Sequence, residues 1–95
     1  MAAKKFKYEF LVIDRDKKFN DQNVHSWRFV NIGETNVIIN NSFQLQAPQT
    51  ANANYIFDEG IVAGEKTAQG YSIVFKTKAG FKNAVQVIMK VEVTR

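Results

Sequence analysis

Cysteine is missing from this 95-residue chain, and proline and histidine each occur once. The lack of cysteine excludes a disulfide framework, a thiolate metal site and cysteine nucleophilic chemistry, so stability must come from packing. Long apolar runs are also lacking: no stretch approaches the ~20 residues of a membrane span. The opening "MAAKKFKYEF" carries charges where the apolar segment of a secretory signal would need none. The expectation is a soluble protein made in the cytoplasm and used without processing.

What is present is the composition of a folded domain. Apolar residues make up 45% of the chain, with eight Phe, three Tyr and one Trp, so aromatics are expected to carry much of the core. A chain of this length has room for one domain, 1–95, burying roughly 60 to 65% of the surface its unfolded form exposes. The formal net charge of +4 is a mild basic excess, compatible with nucleic acid or an acidic protein surface. Its placement is diffuse: Lys4, Lys5 and Lys7 open the chain, Arg15, Lys17 and Lys18 occupy a polar connection, and Lys76, Lys78 and Lys82 flank a later turn.

The hydrophobic period reads as strand almost throughout. In "FKYEFLVI" Phe6, Tyr8, Phe10 and Val12 share one parity, which predicts a strand with that parity buried, and Leu11 and Ile13 indicate that its second half is covered on both sides. Residues 14–23 read as a polar connection. "SWRFVNI" and "NVIIN" read as a hairpin through the turn "GETN", with Gly33 suited to positive φ and Asn36 to the left-handed region. Short strands are predicted around Phe43 to Leu45 and Asn54 to Phe57, with a loop through Pro48 between them, and residues 58–70 read as the longest irregular segment. "YSIVF" and "VQVIMKVEV" close the chain as two strands around "KTKAG", the last one long and central. About seven strands with no amphipathic helix predict a single antiparallel β-sandwich, jelly-roll or immunoglobulin-like, with a small barrel as the runner-up.

Motifs for chemistry do not assemble. His25 has Asp21 and Ser26 near it in sequence, but neighbours along a strand or loop make no triad without a spatial partner. Asp14 and Asp16 imitate the start of a calcium loop, yet Lys18 occupies the next ligand position and the glycine and distal glutamate do not follow. Asp58 and Glu59 precede Gly60 as turn-capping carboxylates do. Asn40, Asn41 and Ser42 match the glycosylation rule by chance, and Gly60 and Gly64 lack the Lys and Ser or Thr of a phosphate loop. No catalytic residue, cofactor or metal is therefore expected. Tyr8, Trp27, Phe29, Tyr55, Tyr71 and Phe75 lie near basic residues and raise a second reading, single-stranded nucleic-acid binding by stacking on a small barrel. Their alternation with polar residues is what core positions show.

The order "SWRFVNIGETNVIINNSFQL", a polar glycine-containing loop and "YSIVFKTKAGFKNAVQVIMKVEV" resembles small all-β structural proteins encoded by bacteriophages, notably those of hosts related to Bacteroides and Flavobacterium. The resemblance spans roughly residues 27–93. It implies a non-enzymatic virion component, a minor capsid, decoration or spike-base protein, that contacts other virion proteins or copies of itself. Under that reading the strands build the sandwich and the partner surface lies in the loops, at Gln46, Gln49, Asn52, Asn54, Asp58, Glu59, Ile61, Val62 and Lys66.

Overall fold

The computed structural model describes residues 5–20, 24–58 and 70–93, and among these the chain is all-β. Eight strands follow one another: β1 (Phe6–Ile13), β2 (Lys17–Phe19), β3 (Val24–Asn31), β4 (Val37–Ile39), β5 (Phe43–Leu45), β6 (Ile56–Asp58), β7 (Tyr71–Phe75) and β8 (Val85–Glu92). They form two antiparallel sheets in the orders β1-β8-β3-β6 and β2-β7-β4-β5. The first strand pairs with the eighth, the second with the seventh, the third with the sixth and the fourth with the fifth. A doubled-back ribbon wrapped into two sheets has this order, which is that of a jelly roll. The sheets are not closed into a barrel.

The two sheets face each other across an aromatic core. Trp27 and Phe29 of β3 stack at 5.6 Å, Phe19 of β2 meets Trp27 edge-on at 5.3 Å, and Tyr71 of β7 meets Phe29 edge-on at 5.1 Å. Such edge-to-face and offset contacts are the favoured ring geometries and add to the area buried. Val85, Val87 and Met89 line the inner face of β8, with Val37, Ile39, Leu45, Ile73 and Phe75 opposite. At one flank Phe43 of β5 and Phe57 of β6 touch across the gap between sheets, with ring centroids 5.0 Å apart. The Trp27 indole Nε1–H is buried and finds no acceptor among the described residues, and the indole packs against the rings of Phe19, Phe29 and Tyr71.

The segment "RFVNIGETNVIIN" is not a hairpin. β3 and β4 lie in different sheets, so residues 32–36 form a corner that carries the chain across the sandwich. The corner is held by a buried asparagine: Asn31 Oδ1 accepts from Gly33 N–H at 3.0 Å, and Asn31 Nδ2 donates to the Thr35 carbonyl at 2.8 Å and the Leu45 carbonyl at 3.4 Å. It docks on the approach to β8, where Glu34 N–H donates to the Lys82 carbonyl at 2.7 Å and Glu34 Oε1 accepts from Lys82 N–H at 2.9 Å. Gly33 is required for closeness and not for positive φ: a Cβ there would lie 2.5 Å from Ala84 N and 2.8 Å from Lys82 O. The left-handed turn falls elsewhere, at Asn40 (φ 52°) and Asn41 (φ 59°) between β4 and β5. Positive φ at both central residues is what a type I′ hairpin turn demands, and asparagine tolerates it better than other side-chain-bearing residues. Ser42 N–H closes the turn on the Ile39 carbonyl.

Two more expectations are corrected. Residues 14–23 are not all connection, because β2 pairs with β7 and buries Phe19, and Asp16 Oδ1 accepts from Phe75 N–H at 2.9 Å. β1 presents the opposite face from the one expected. Leu11 and Ile13 point inward, while Tyr8, Phe10 and Val12 are 60%, 63% and 58% exposed. The register with β8 decides this: Leu11 lies opposite Val87 and Ile13 opposite Val85, whose side chains fill the core, so the other parity of β1 must face outward. β8 itself is long and central, as its pattern predicts.

Candidate functional site

The outward face of the β1 sheet is read most simply along the pairing registers. One row runs Tyr8, Lys90, Ser26; the next Phe10, Ile88, Arg28, Asp58; the third Val12, Gln86, Val30, Ile56. Antiparallel pairs put directly opposed side chains on the same face, so these rows form one continuous surface. Tyr8, Phe10 and Val12 make its apolar margin, with the Tyr8 and Phe10 rings 6.4 Å apart, and leave on the order of 300 Å² exposed, comparable to the largest patch of a typical monomer, which is often functional. A depression of about 340 Å³ opens on it between Tyr8, Ser26, Arg28, Asp58 and Ile88.

The charges on this face are already engaged. Arg28 Nη2 donates to Asp58 Oδ2 at 2.7 Å, and the Lys90 ammonium sits 4.9 Å above the Phe6 ring. Phe6 in turn meets the ring of His25 edge-on at 4.7 Å. His25 is therefore a buried residue of β3 at the irregular pairing between Val24 and Ser26.

β1 is also an edge. Of the four outermost strands, β2, β5 and β6 have three residues each, whereas β1 has eight and pairs with β8 without a register shift. Short edge strands, bulges, prolines and charged side chains are the usual protections against pairing with another chain; β1 has none of the first three, and its charges are one lysine and one glutamate, Lys7 and Glu9, paired with each other. Val93 N–H donates to the Lys5 carbonyl, which places the backbone groups of odd-numbered β1 residues toward β8. Alternation then directs those of Phe6, Tyr8, Phe10 and Val12 out of the free edge.

The loop residues expected to bind a partner are placed as follows. Gln46 and Asn54 clasp each other, with Gln46 N–H donating to the Asn54 carbonyl at 2.9 Å and Asn54 N–H to Gln46 Oε1 at 3.0 Å. Gln49 Nε2 reaches the Glu34 carbonyl at 3.1 Å, tying the Pro48 loop to the corner, and Asn52 is exposed at positive φ. Asp58 belongs to the ion pair on the sheet face. Glu59, Ile61, Val62 and Lys66 lie outside the described residues. Of the aromatics considered for base stacking, Trp27, Phe29, Tyr71 and Phe75 are buried, and only Tyr8 and Tyr55 are exposed. Phe10 was missed because alternation marks a strand's two faces without saying which faces the core.

Among the described residues no group of three His, Asp or Glu side chains is placed to hold a metal ion, and no helix is long and apolar enough to cross a membrane. By fold and surface the chain is a small jelly-roll sandwich whose outer sheet face has an apolar margin along one long edge strand that is free among the described residues. Comparisons with protein-family models, curated proteins and solved structures gave no match.

Proposed function

We propose that this chain is a non-enzymatic structural subunit that works by protein–protein contact, as a minor capsid, decoration or spike-base component of a phage particle. The observation that carries the contact reading is the exposed margin Tyr8, Phe10 and Val12 beside an eight-residue edge that has no partner strand among the described residues. Apolar surface of this extent costs free energy in water, roughly 25 cal/mol per Å², which a covering partner would recover in part. The virion setting comes from the sequence resemblance over residues 27–93. The jelly-roll order agrees with it by analogy, since capsid domains commonly use this fold, as do lectins and cupins. Quantitative mass spectrometry of purified particles of the encoding virus tests the reading. A fixed copy number relative to the major capsid protein, lost in the Phe10→Lys, Val12→Lys variant, is the expected result; particles without the chain would overturn the virion role.

A second reading has one observation in its favour. Tyr8 and Phe10 are exposed rings on a sheet face, the arrangement on which single-stranded bases stack. Against it, Arg28 on the same face is paired with Asp58, so the basic track that would follow a phosphate backbone is interrupted. Anisotropy of a labelled oligonucleotide at low salt separates the two. Binding that falls steeply with salt and with Phe10→Ala supports nucleic acid, and a flat titration removes it.

A further inference from the structure

We propose that β1 pairs antiparallel with β1 of a second copy across a two-fold axis through Tyr8, joining the two β1 sheets into one eight-stranded sheet. The proposal rests on the protein-contact reading and identifies the partner as the chain itself.

Three features of the strand point to one register. First, the outward-directed backbone groups belong to Phe6, Tyr8 and Phe10, so an added strand must make its hydrogen-bonded pairs with even-numbered residues. Second, β1 carries one lysine and one glutamate on its other parity, Lys7 and Glu9, both about half exposed and 3.2 Å apart within the chain. With Tyr8 opposite Tyr8 of the second copy, each Lys7 stands opposite a Glu9, in the non-hydrogen-bonded positions where side chains approach most closely. Sliding the copies to the next register of the same hydrogen-bonding parity puts Lys7 opposite Lys7, with each Lys5 opposite a Glu9, in one direction and Glu9 opposite Glu9 in the other. Directly opposed like charges are destabilising, so each neighbouring register carries at its centre a like-charge pair that the Tyr8-centred register lacks. Third, the same register places Phe6 opposite Phe10 on the outer face with the two Tyr8 rings between them, so the exposed aromatic margin of each copy meets that of the other. The contact is isologous, and it closes at a dimer. Each β1 edge is used once, which removes the longest free edge among the described strands.

The test uses the full chain and has two arms. In the first, molar mass is followed by light scattering across a wide concentration range. The expected result is a monomer–dimer equilibrium. Lys7→Glu alone or Glu9→Lys alone should raise its dissociation constant by on the order of tenfold, and the double swap Lys7→Glu, Glu9→Lys should restore it. Both positions are exposed in the monomer, and circular dichroism verifies that the variants remain folded. In the second arm, the native absence of cysteine gives a clean background. Lys7→Cys and Glu9→Cys chains, mixed and oxidised, should form the mixed disulfide in preference to either symmetric one, because cross-strand Cα atoms about 4.5 Å apart lie within disulfide span.

A wild-type chain that stays monomeric at every concentration overturns the proposal, while the virion role still stands or falls with the particle measurement. A preference for the symmetric Lys7→Cys or Glu9→Cys disulfide overturns the register. A dimer indifferent to charge reversal at both positions places the contact elsewhere and overturns the proposal as well.

Discussion

Two aromatic pairs on the same sheet, built from the same spacing, have opposite fates. Trp27 and Phe29 are two residues apart on β3 and almost wholly buried; Tyr8 and Phe10 are two residues apart on β1 and more than half exposed. Both alternate with polar neighbours, so local sequence cannot tell them apart. The difference comes from the strands beside them. β3 sits between β8 and β6 with its aromatic parity opposite Met89 and Val87, while the aromatic parity of β1 is opposite Lys90 and Ile88 on the outer face. A pair of rings in a strand is thus a core element or a contact surface according to register alone.

Substitutions can break this comparison. The largest effect is expected at Phe29: Phe29→Ala should cost about 3–5 kcal/mol in denaturant unfolding, because it removes a ring packed against Trp27, Phe19 and Tyr71 and leaves a cavity. Phe10→Ala, measured alongside, should cost under about 1 kcal/mol. Equal losses would mean that the outer face is already covered in the isolated chain.

Next comes the corner that sets the two sheets against each other. Asn31→Ala strips the partners from Gly33 N–H and the Thr35 carbonyl, and should lower stability by about 1–3 kcal/mol. A neutral result would show that this buried network is dispensable. Gly33→Ala is expected to cost a similar or slightly smaller amount, about 1–3 kcal/mol, since the new Cβ meets backbone and not a flexible side chain. Gly80→Ala makes the useful contrast: a Cβ there meets nothing, but φ is +84°, so a loss of about 1 kcal/mol would come from backbone conformation alone. The smallest effect belongs to the outer-face ion pair. Arg28→Ala should change stability by no more than about 0.5 kcal/mol, since both partners are about half exposed. A larger loss, especially one that grows as salt is lowered, would show that the pair organises the surface around it.

Much of the architecture was legible. The β8 alternation Val85, Val87, Met89, Val91 has no competing apolar parity of equal strength, and its central position follows from that. β7 reads equally well through Tyr71, Ile73 and Phe75. β2 was hidden because three residues with one apolar side chain carry no period, and only pairing with β7 makes them a strand. The corner at Gly33 imitated a hairpin because glycine serves two purposes, positive φ and close approach, and only the coordinates distinguish them. The true β4–β5 turn was written in Asn40 and Asn41, whose neighbouring Ser42 also completes a chance glycosylation pattern. For the candidate surface, sequence pointed to the polar loops, whereas the apolar margin on β1 became visible only when its register with β8 was known.

The sequence by itself determined that the fold is all-β and without cysteine chemistry, with an aromatic core and a long final strand, because composition and period-two alternation are local properties. Tertiary structure decided which face of each strand is inside, which strands stand at the edges, and that chain reversals at Gly33 and Gly80 cross between sheets. These depend on pairing partners far apart in the chain, and a shift of one residue in any register would turn every side chain of that strand to the other face.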